Sequence, residues 1–369
     1  MKHYLHLVTV LAEVRNRRVF RASSNGRATY LSRERRSADD HKHEVVMITG
    51  ASAGVGRAIT REFAERQAWI GLIARGKERL EAAKAEVEAK GGRAMTFPID
   101  VADAAGVDHA AETLQREFGP IDVWVNDAMT TIFAPLTEIT PEEFKRATEV
   151  TYLGCVYGTM AALKRMLPRD KGTIVQIGSA LAYRSIPLQA PYCGAKHAIV
   201  GFTDSLRCEL IHNRSNVHVT VVHLPAVNTP QFNWCRTRLP RHPQPVPPIY
   251  DASVPARAVY WAAHHKRREV FVGWPTMKAI YAQDVAPGIA DWYLGKTGYS
   301  SQQTQQFVSP DRPNNLFEPV QADVAADGIF TEQATTFSAQ NWTNLHRLPI
   351  ALIAAGAAGI GALLVARSK

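Results

Sequence analysis

Largely apolar residues gather in short runs at 45–49, 69–74, 94–97, 121–125, 173–177, 217–222 and 270–272, with longer stretches of mixed character between them. Runs of this length without strict alternation predict strands buried on both faces, and the mixed stretches predict helices. One helix start is marked by Thr140-Pro141-Glu142-Glu143: an N-cap threonine, a proline at the first helical position and a glutamate placed to complete a capping box. Another helix, densely charged, begins at Lys77. Strands alternating with helices predict an α/β fold, a doubly wound parallel sheet of the Rossmann type forming a single catalytic domain over residues 44–295.

The pattern stops at both ends of that domain. Residues 1–43 hold ten Lys or Arg against four acidic residues and show no core period. This basic extension reads as a disordered leader, as a targeting peptide, or as a signal peptide built on the apolar residues 4–12. Past Gly295 the composition turns to Gln, Ser, Asn, Asp and Pro, and residues 296–346 read as a polar linker or a loosely docked tail.

Residues 347–367 are predicted to span a membrane. Their centre, 348–366, carries no charge. At 1.5 Å per residue it reaches about 28 Å, close to the ~30 Å hydrocarbon thickness of a bilayer. Arg347 on one side and Arg367 with Lys369 on the other are placed to snorkel to the headgroups, and Ala355, Gly359 and Leu363 with nearby Gly356 offer a small-residue face for helix pairing. Membrane lipid is then a partner, with the domain on the cytoplasmic side, and a homo-oligomer is compatible with that face.

The formal net charge of +9 is concentrated in the leader, and no basic helix interleaved with aromatics accompanies it, so nucleic acid is not an expected partner. Cys155, Cys193, Cys208 and Cys235 form no CxxC pair and have no metal-ligand spacing, which argues for a reducing compartment and no metal.

Three local patterns carry chemistry. Thr49-Gly50-Ala51-Ser52-Ala53-Gly54-Val55-Gly56 follows the first strand and opens a helix, the context in which glycines let the backbone approach a pyrophosphate and a helix N-terminus supplies amide donors. The second strand ends Ile73-Ala74-Arg75-Gly76, with a cation where an NAD site places a carboxylate; Arg75 therefore favours NADP(H), and Arg57 adds positive charge nearby. Tyr192 and Lys196 lie four apart on one helix face, where an ammonium would lower the phenol pKa and make Tyr192 a usable general acid/base.

The glycine turn, the Tyr192/Lys196 pair and Ser179 thirteen residues before the tyrosine together resemble the compact branch of the short-chain dehydrogenases/reductases. The resemblance spans residues 45–273 and implies roles residue by residue. Ser179 would hold the substrate oxygen, Tyr192 would exchange its proton, and Lys196 would also bind the nicotinamide ribose. Thr49, Gly50, Ser52, Gly54, Val55 and Gly56 would surround the pyrophosphate. Asp100 and Val101 would position adenine, Asn126 and Ala128 would bound the cofactor at the fourth strand, and Pro225, Val227 and Thr229 would close the loop over the nicotinamide.

Three positions depart from the family pattern. Asn126-Asp127-Ala128-Met129 stands for Asn-Asn-Ala-Gly, Thr151 stands where an asparagine often supports a water-mediated proton relay, and Ala226 follows Pro225 in place of glycine. A threonine hydroxyl can hold a water but offers one donor where an amide offers two. The implied function is an NADP(H)-dependent oxidoreductase acting on a small alcohol/carbonyl substrate, lipophilic if drawn from a bilayer. The competing function is a non-catalytic dinucleotide-binding sensor or membrane-recruitment protein. Isomerase or dehydratase chemistry on nucleotide sugars fits the glycine spacing less well. Substrate choice is expected to reside in residues 231–251, which include Phe232 and Trp234, and Trp261, Trp274 and Trp292 are further candidates for a substrate cleft or for core packing.

Overall fold

The computed structural model describes residues 43–309, 311–321 and 326–347. Residues 1–42 and the apolar run 348–366 lie outside the described residues. Within them, no helix is long and apolar enough to cross a membrane.

Seven parallel strands form the central sheet: β1 (Val45–Thr49), β2 (Trp69–Ala74), β3 (Arg93–Pro98), β4 (Val123–Asn126), β6 (Thr173–Ser179), β7 (His218–Leu224) and β11 (Glu269–Phe271), in the order β11-β7-β6-β4-β1-β2-β3. β5 (Ile132–Phe133) lies outside this sheet. Each run expected to be a strand is one. β1 shows why: all five of its residues are buried, so it must be covered on both faces. On one face α1 (Gly54–Ala64), α2 (Lys77–Ala89) and α8 (Ser253–Ala263) pack through Ile59, Phe63, Leu80 and Val259. On the other, α3 (Ala104–Phe118), α5 (Gly154–Met166) and α6 (Ala190–His212) pack through Leu114, Met166 and Leu206 in one cluster with Trp124 of β4. The capping box at the start of α4 (Pro141–Thr148) is formed, with Glu143 N–H donating to the Thr140 hydroxyl at 3.3 Å and Thr140 N–H to the Glu143 carboxylate at 3.1 Å.

β1 sits between β2 and β4, so the chain reverses direction across the sheet there. Crossover helices leave to opposite faces at that point, and a crevice opens beyond the carboxyl ends of the strands. The segment after β7 supplies α7 (Gln231–Trp234), β8 (Arg236–Thr237), β9 (Arg241–Pro243) and β10 (Ile249–Tyr250) around that crevice. After β11 comes a helical hairpin, α9 (Trp274–Val285) and α10 (Pro287–Thr297). α10 has no buried residue, and Trp274, Val285, Ile289 and Trp292 are exposed.

The segment 296–346, expected to be a linker or a loosely docked tail, is laid along the domain in its described part. β12 (Gln303–Phe307) pairs antiparallel with β9, β13 (Ala334–Thr335) pairs with β10, and α11 (Ala339–Leu345) packs on α8. Leu316 and Phe330 are buried. Polar groups do most of the fastening: fully buried Gln302 donates from Nε2 to the carbonyls of Pro187 at 2.9 Å and Gly298 at 2.7 Å. Strand pairing and buried amides leave no apolar run in the sequence, which is why hydropathy gives this segment no shape.

Candidate active site

The crevice is a cavity of about 740 Å³ running from the glycine turn to the α9–α10 hairpin. Gly50 has φ +72° and a Cβ there would come within 2.9 Å of the Ala128 backbone; Gly54 has φ +57° and faces Thr229. These positive angles and close approaches select glycine. A Cβ on Gly56 would meet the Gly50 carbonyl at 2.2 Å, so this glycine seats helix α1 against the turn. Gly50, Ser52, Gly54 and Val55 line the cavity, and Pro225, Val227 and Thr229 close over it. Thr49 does not reach it. The Thr49 hydroxyl accepts from the Asp127 and Ala128 N–H groups, each at 3.1 Å, and so ties β1 to the end of β4.

At the opposite side of the turn, Asp100 and Val101 line the cavity together with Arg75, Gly76 and Arg79. Asp100 accepts from Ala102 N–H at 2.9 Å and pairs with Arg146. Arg57, expected to add free positive charge, is instead held in a two-pronged pair with Glu86, each arm 3.0 Å, and donates to the carbonyls of Ser52 and Arg79. Arg57 and Arg61 together hold the Glu86 carboxyl down at about 2 against the opposing effect of burial. Arg75 is half-buried and donates to the backbone carbonyls of Asn315 at 2.5 Å and Phe317 at 2.6 Å. The C-terminal segment therefore forms one wall of this end of the cavity.

Ser179 ends β6, while Tyr192 and Lys196 stand one turn apart on α6; all three reach the same wall. The Lys196 ammonium donates to the Ile177 carbonyl at 2.6 Å and lies 5.5 Å from the Tyr192 ring centroid. Burial pushes the Tyr192 phenol pKa up, with the Ser179 hydroxyl pulling the other way. The expected lowering by Lys196 does not appear: desolvation of the phenolate dominates, and the ammonium is aimed at a carbonyl. A phenol held protonated is a proton donor at neutral pH. The Ser179 hydroxyl accepts from Leu181 N–H at 3.1 Å, and the buried His223 ring contacts the Ser179 carbonyl at 3.3 Å.

Two residues expected at the site face elsewhere. The Asn126 amide is part of a buried network, donating to Gln176 Oε1 at 2.8 Å and Thr159 Oγ1 at 3.1 Å and accepting from Trp124 Nε1 at 2.8 Å. It fastens β4 to β6 and α5, and Asn126 is not among the residues that line the cavity. Thr151 donates its hydroxyl proton to the Thr130 carbonyl at 2.9 Å and accepts from Thr130 N–H at 3.1 Å. With both roles taken by one backbone unit, the hydroxyl bridges α4–α5 to the loop after β4 and does not point into the cavity.

Ala128 and Met129 do line the cavity, as does Asp127, whose role the sequence did not signal. Burial pushes the Asp127 carboxyl up to about 7, with Lys196 and the Gly56 N–H opposing. The substrate end is walled by Leu181, Ile186, Val246, Ile289 and Leu294 with the polar groups of Gln189 and Arg184. Phe232, Trp234 and Trp292 contribute to the lining, whereas Trp261 stacks on His265 at 4.0 Å and packs against the core. Among the described residues, no cluster of three or more His, Cys, Asp or Glu is placed to hold a metal, and the four cysteines are unpaired.

A parallel sheet with a glycine turn at its switch point, and Ser, Tyr and Lys gathered on one wall of the crevice beyond it, matches a known class. Residues 44–238 fit the family model described as short chain dehydrogenase, and the chain belongs to that family of oxidoreductases. It is 32% identical over 279 residues to the uncharacterized oxidoreductase YxnA of Bacillus subtilis (strain 168), covering 75% of this chain and 78% of that protein. The 17-beta-hydroxysteroid dehydrogenase 13 of Homo sapiens is 35% identical over 167 residues, 45% of this chain and 56% of that protein. Among solved structures, a variant of actinorhodin polyketide ketoreductase with NADPH superposes with a TM-score of 0.56 at 27% identity, covering 63% of this chain and 96% of that one. A short chain dehydrogenase from Mycobacterium paratuberculosis bound to NAD shares the fold, with a TM-score of 0.55 at 22% identity over 62% of this chain and 96% of that one.

Proposed function

We propose that this chain is an NADP(H)-dependent reductase or dehydrogenase that interconverts an alcohol and a carbonyl, with Tyr192 as general acid/base. One observation carries the reading: Ser179, Tyr192 and Lys196 line the same cavity whose far end is bounded by the glycine turn. The cradle suits a dinucleotide, because the turn at Gly50 and Gly54 lines the cavity ahead of the N-terminus of α1, whose amide donors suit a pyrophosphate. When bound, that cofactor supplies or accepts the hydride. The chain's own groups do the remainder. Ser179 holds the substrate oxygen, Tyr192 donates a proton to it in reduction and withdraws one in oxidation, and Lys196 holds the nicotinamide ribose. Preference for NADP(H) over NAD(H) is supported by the cations Arg75 and Arg79 at the end of β2 and the start of α2, with no carboxylate at the strand end.

The substrate is lipophilic and reaches the protein from a membrane to which residues 347–367 anchor it, the domain lying on the cytoplasmic side. Supporting this are the aliphatic walls of the substrate end and the α9–α10 hairpin at its mouth, which exposes Trp274, Ile289 and Trp292 beside Lys278 and Lys296. A second reading, a dinucleotide-binding sensor, is favoured by the Thr151 hydroxyl being taken up by Thr130, which leaves it no part in a water relay. NADPH oxidation by detergent-solubilised protein against aliphatic, steroid, retinoid and quinone carbonyls separates the two. Turnover of at least one carbonyl class is expected; tight NADPH binding with no turnover across the panel would replace the enzyme with the sensor.

A further inference from the structure

The start of α6, which carries Tyr192, is held in a conformation that its own sequence does not favour. Leu188, just before the helix, has φ +70°, a left-handed angle that is uncommon for a residue with a Cβ and persists only where surrounding contacts impose it. Gln189 follows as the N-cap, with no side-chain cap of its own, and its carbonyl accepts from Cys193 N–H at 2.9 Å. Tyr192 lies inside that hydrogen-bonded turn, so its place on the cavity wall depends on how residues 187–189 are set.

Two buried glutamines set them. The Gln302 carboxamide uses both N–H groups on the carbonyls of Pro187 and Gly298, so its oxygen is left to face Gln189, whose Nε2 donates to it at 2.7 Å. That contact fixes the Gln189 amide in turn, with its oxygen accepting from the Thr131 hydroxyl at 3.3 Å. Gln302 and Thr131 are fully buried, and Gln189 is buried while also lining the cavity. The carbonyl between them in the turn, that of Leu188, accepts from Ala134 N–H at 3.0 Å. Gly298 permits the approach, since a Cβ there would come within 2.6 Å of the Pro187 ring. The result is a chain of amides from the segment after α10, through the turn before α6, to the loop after β4.

We infer that Gln302 is a positioning residue for the reaction: through the Gln189 amide and the Pro187 carbonyl it holds residues 187–189 in their strained turn, and so sets where the Tyr192 hydroxyl meets the substrate oxygen beside Ser179. Gln302 lies beyond residue 238, where the match to the short chain dehydrogenase model ends, so this support is the chain's own addition to the shared site. Removing its amide leaves the buried Gly298 carbonyl and the Gln189 amide without their partner, and the turn is free to relax toward an ordinary angle at Leu188.

The inference rests on the reading of Tyr192 as general acid/base, and the test keeps the two apart. Detergent-solubilised full-length protein is assayed with NADPH and the fastest-reduced of the aliphatic, steroid, retinoid and quinone carbonyls, alongside NADPH titration and thermal melting. No turnover by the unmodified protein, or full turnover by Tyr192→Phe, would remove that reading and this inference with it. Gln302→Met keeps the bulk and removes the amide. It is expected to lower kcat by about 10–100-fold, the cost of a misplaced reacting group, while KM and NADPH affinity stay within a few-fold. Gln189→Met breaks the same link from the helix side, stands in should Gln302→Met not fold, and is expected to lower kcat in the same way. Because both act through one contact, the double variant is expected to lose no more than the more impaired single variant. A Gln302→Met protein that melts earlier but keeps kcat within a few-fold would make the residue purely structural and overturn the inference. Multiplicative losses in the double variant, or a raised KM at unchanged kcat, would overturn it as well.

Discussion

The guanidinium of Arg75 donates to the carbonyl oxygen of Asn315 at 2.5 Å, joining the end of β2 to a residue 240 positions later. The residue expected to set cofactor preference is therefore oriented by a segment that belongs to no part of the core sheet. A neighbouring residue of that segment, Arg312, fastens it to the substrate loop by donating to the carbonyls of Phe232 at 2.5 Å, Asn233 at 3.1 Å and Cys235 at 2.7 Å.

Arg312→Ala removes those donors and leaves partly buried carbonyls at the end of α7 without their partner. A loss of about 1–3 kcal/mol in stability is expected, since hydrogen bonds from charged groups lie in that range. Denaturant unfolding measures it, and NADPH affinity should fall with it because Arg75 loses its guide. A variant with the unmodified midpoint and unmodified NADPH affinity would show that the segment plays no part in the site.

Tyr192→Phe keeps the ring and its packing while removing the proposed proton donor. The expected loss is about 10²–10⁴-fold in kcat, with NADPH binding preserved. Steady-state rates paired with a fluorescence titration separate the two effects; rates within a few-fold of the unmodified enzyme would assign the proton to another group.

Asp127 predicts a pH dependence of stability. Its carboxyl has an ordinary value of 3.8 and is pushed up to about 7 by burial, so between these values the folded state holds a proton that the unfolded state releases. The native protein binds more protons there, and its stability falls as pH rises from about 4 through about 7. Asp127→Asn should flatten this dependence and raise the melting temperature above pH 7, while its amide oxygen still accepts from the Gly56 N–H. Melting temperatures from pH 5 to 8.5 provide the check. The ionised carboxylate lies beside the glycine turn, so NADPH affinity should also weaken above pH 7 in the unmodified protein and not in the variant.

Removal of residues 346–369 leaves α11 whole and should release a soluble protein that binds NADPH. The full chain should resist extraction by high salt and alkali and yield to detergent. Full-length protein in the soluble fraction without detergent would rule out the anchor, and aggregation of the shortened form would indicate a helix packed on the domain.

Strand positions were legible because the inner strands are buried on both faces and are therefore mostly apolar, as in Val45–Thr49. The glycine turn and the Ser179, Tyr192 and Lys196 constellation were legible because their spacing is local or nearly so. The network around Asn126 was not legible because a buried amide network looks, in one dimension, like an isolated polar residue. Gln176 at the centre of the otherwise apolar β6 was the available signal that β4 had a polar partner. Asn315 and Gln302 were invisible because their contacts join positions far apart in the chain through backbone groups that composition does not encode.

The wrapping of residues 296–346 also orders events during synthesis. A chain translated as far as Gly295 already carries the glycine turn, Ser179, Tyr192 and Lys196, yet Arg75 lacks its guiding carbonyls and β9 lacks its partner strand. The adenosine end of the cleft is completed only when residue 317 leaves the ribosome. Full cofactor capture is therefore expected to be a late step, and a chain terminated before residue 315 is expected to hold a nucleotide more weakly than the full chain even with its reactive groups in place.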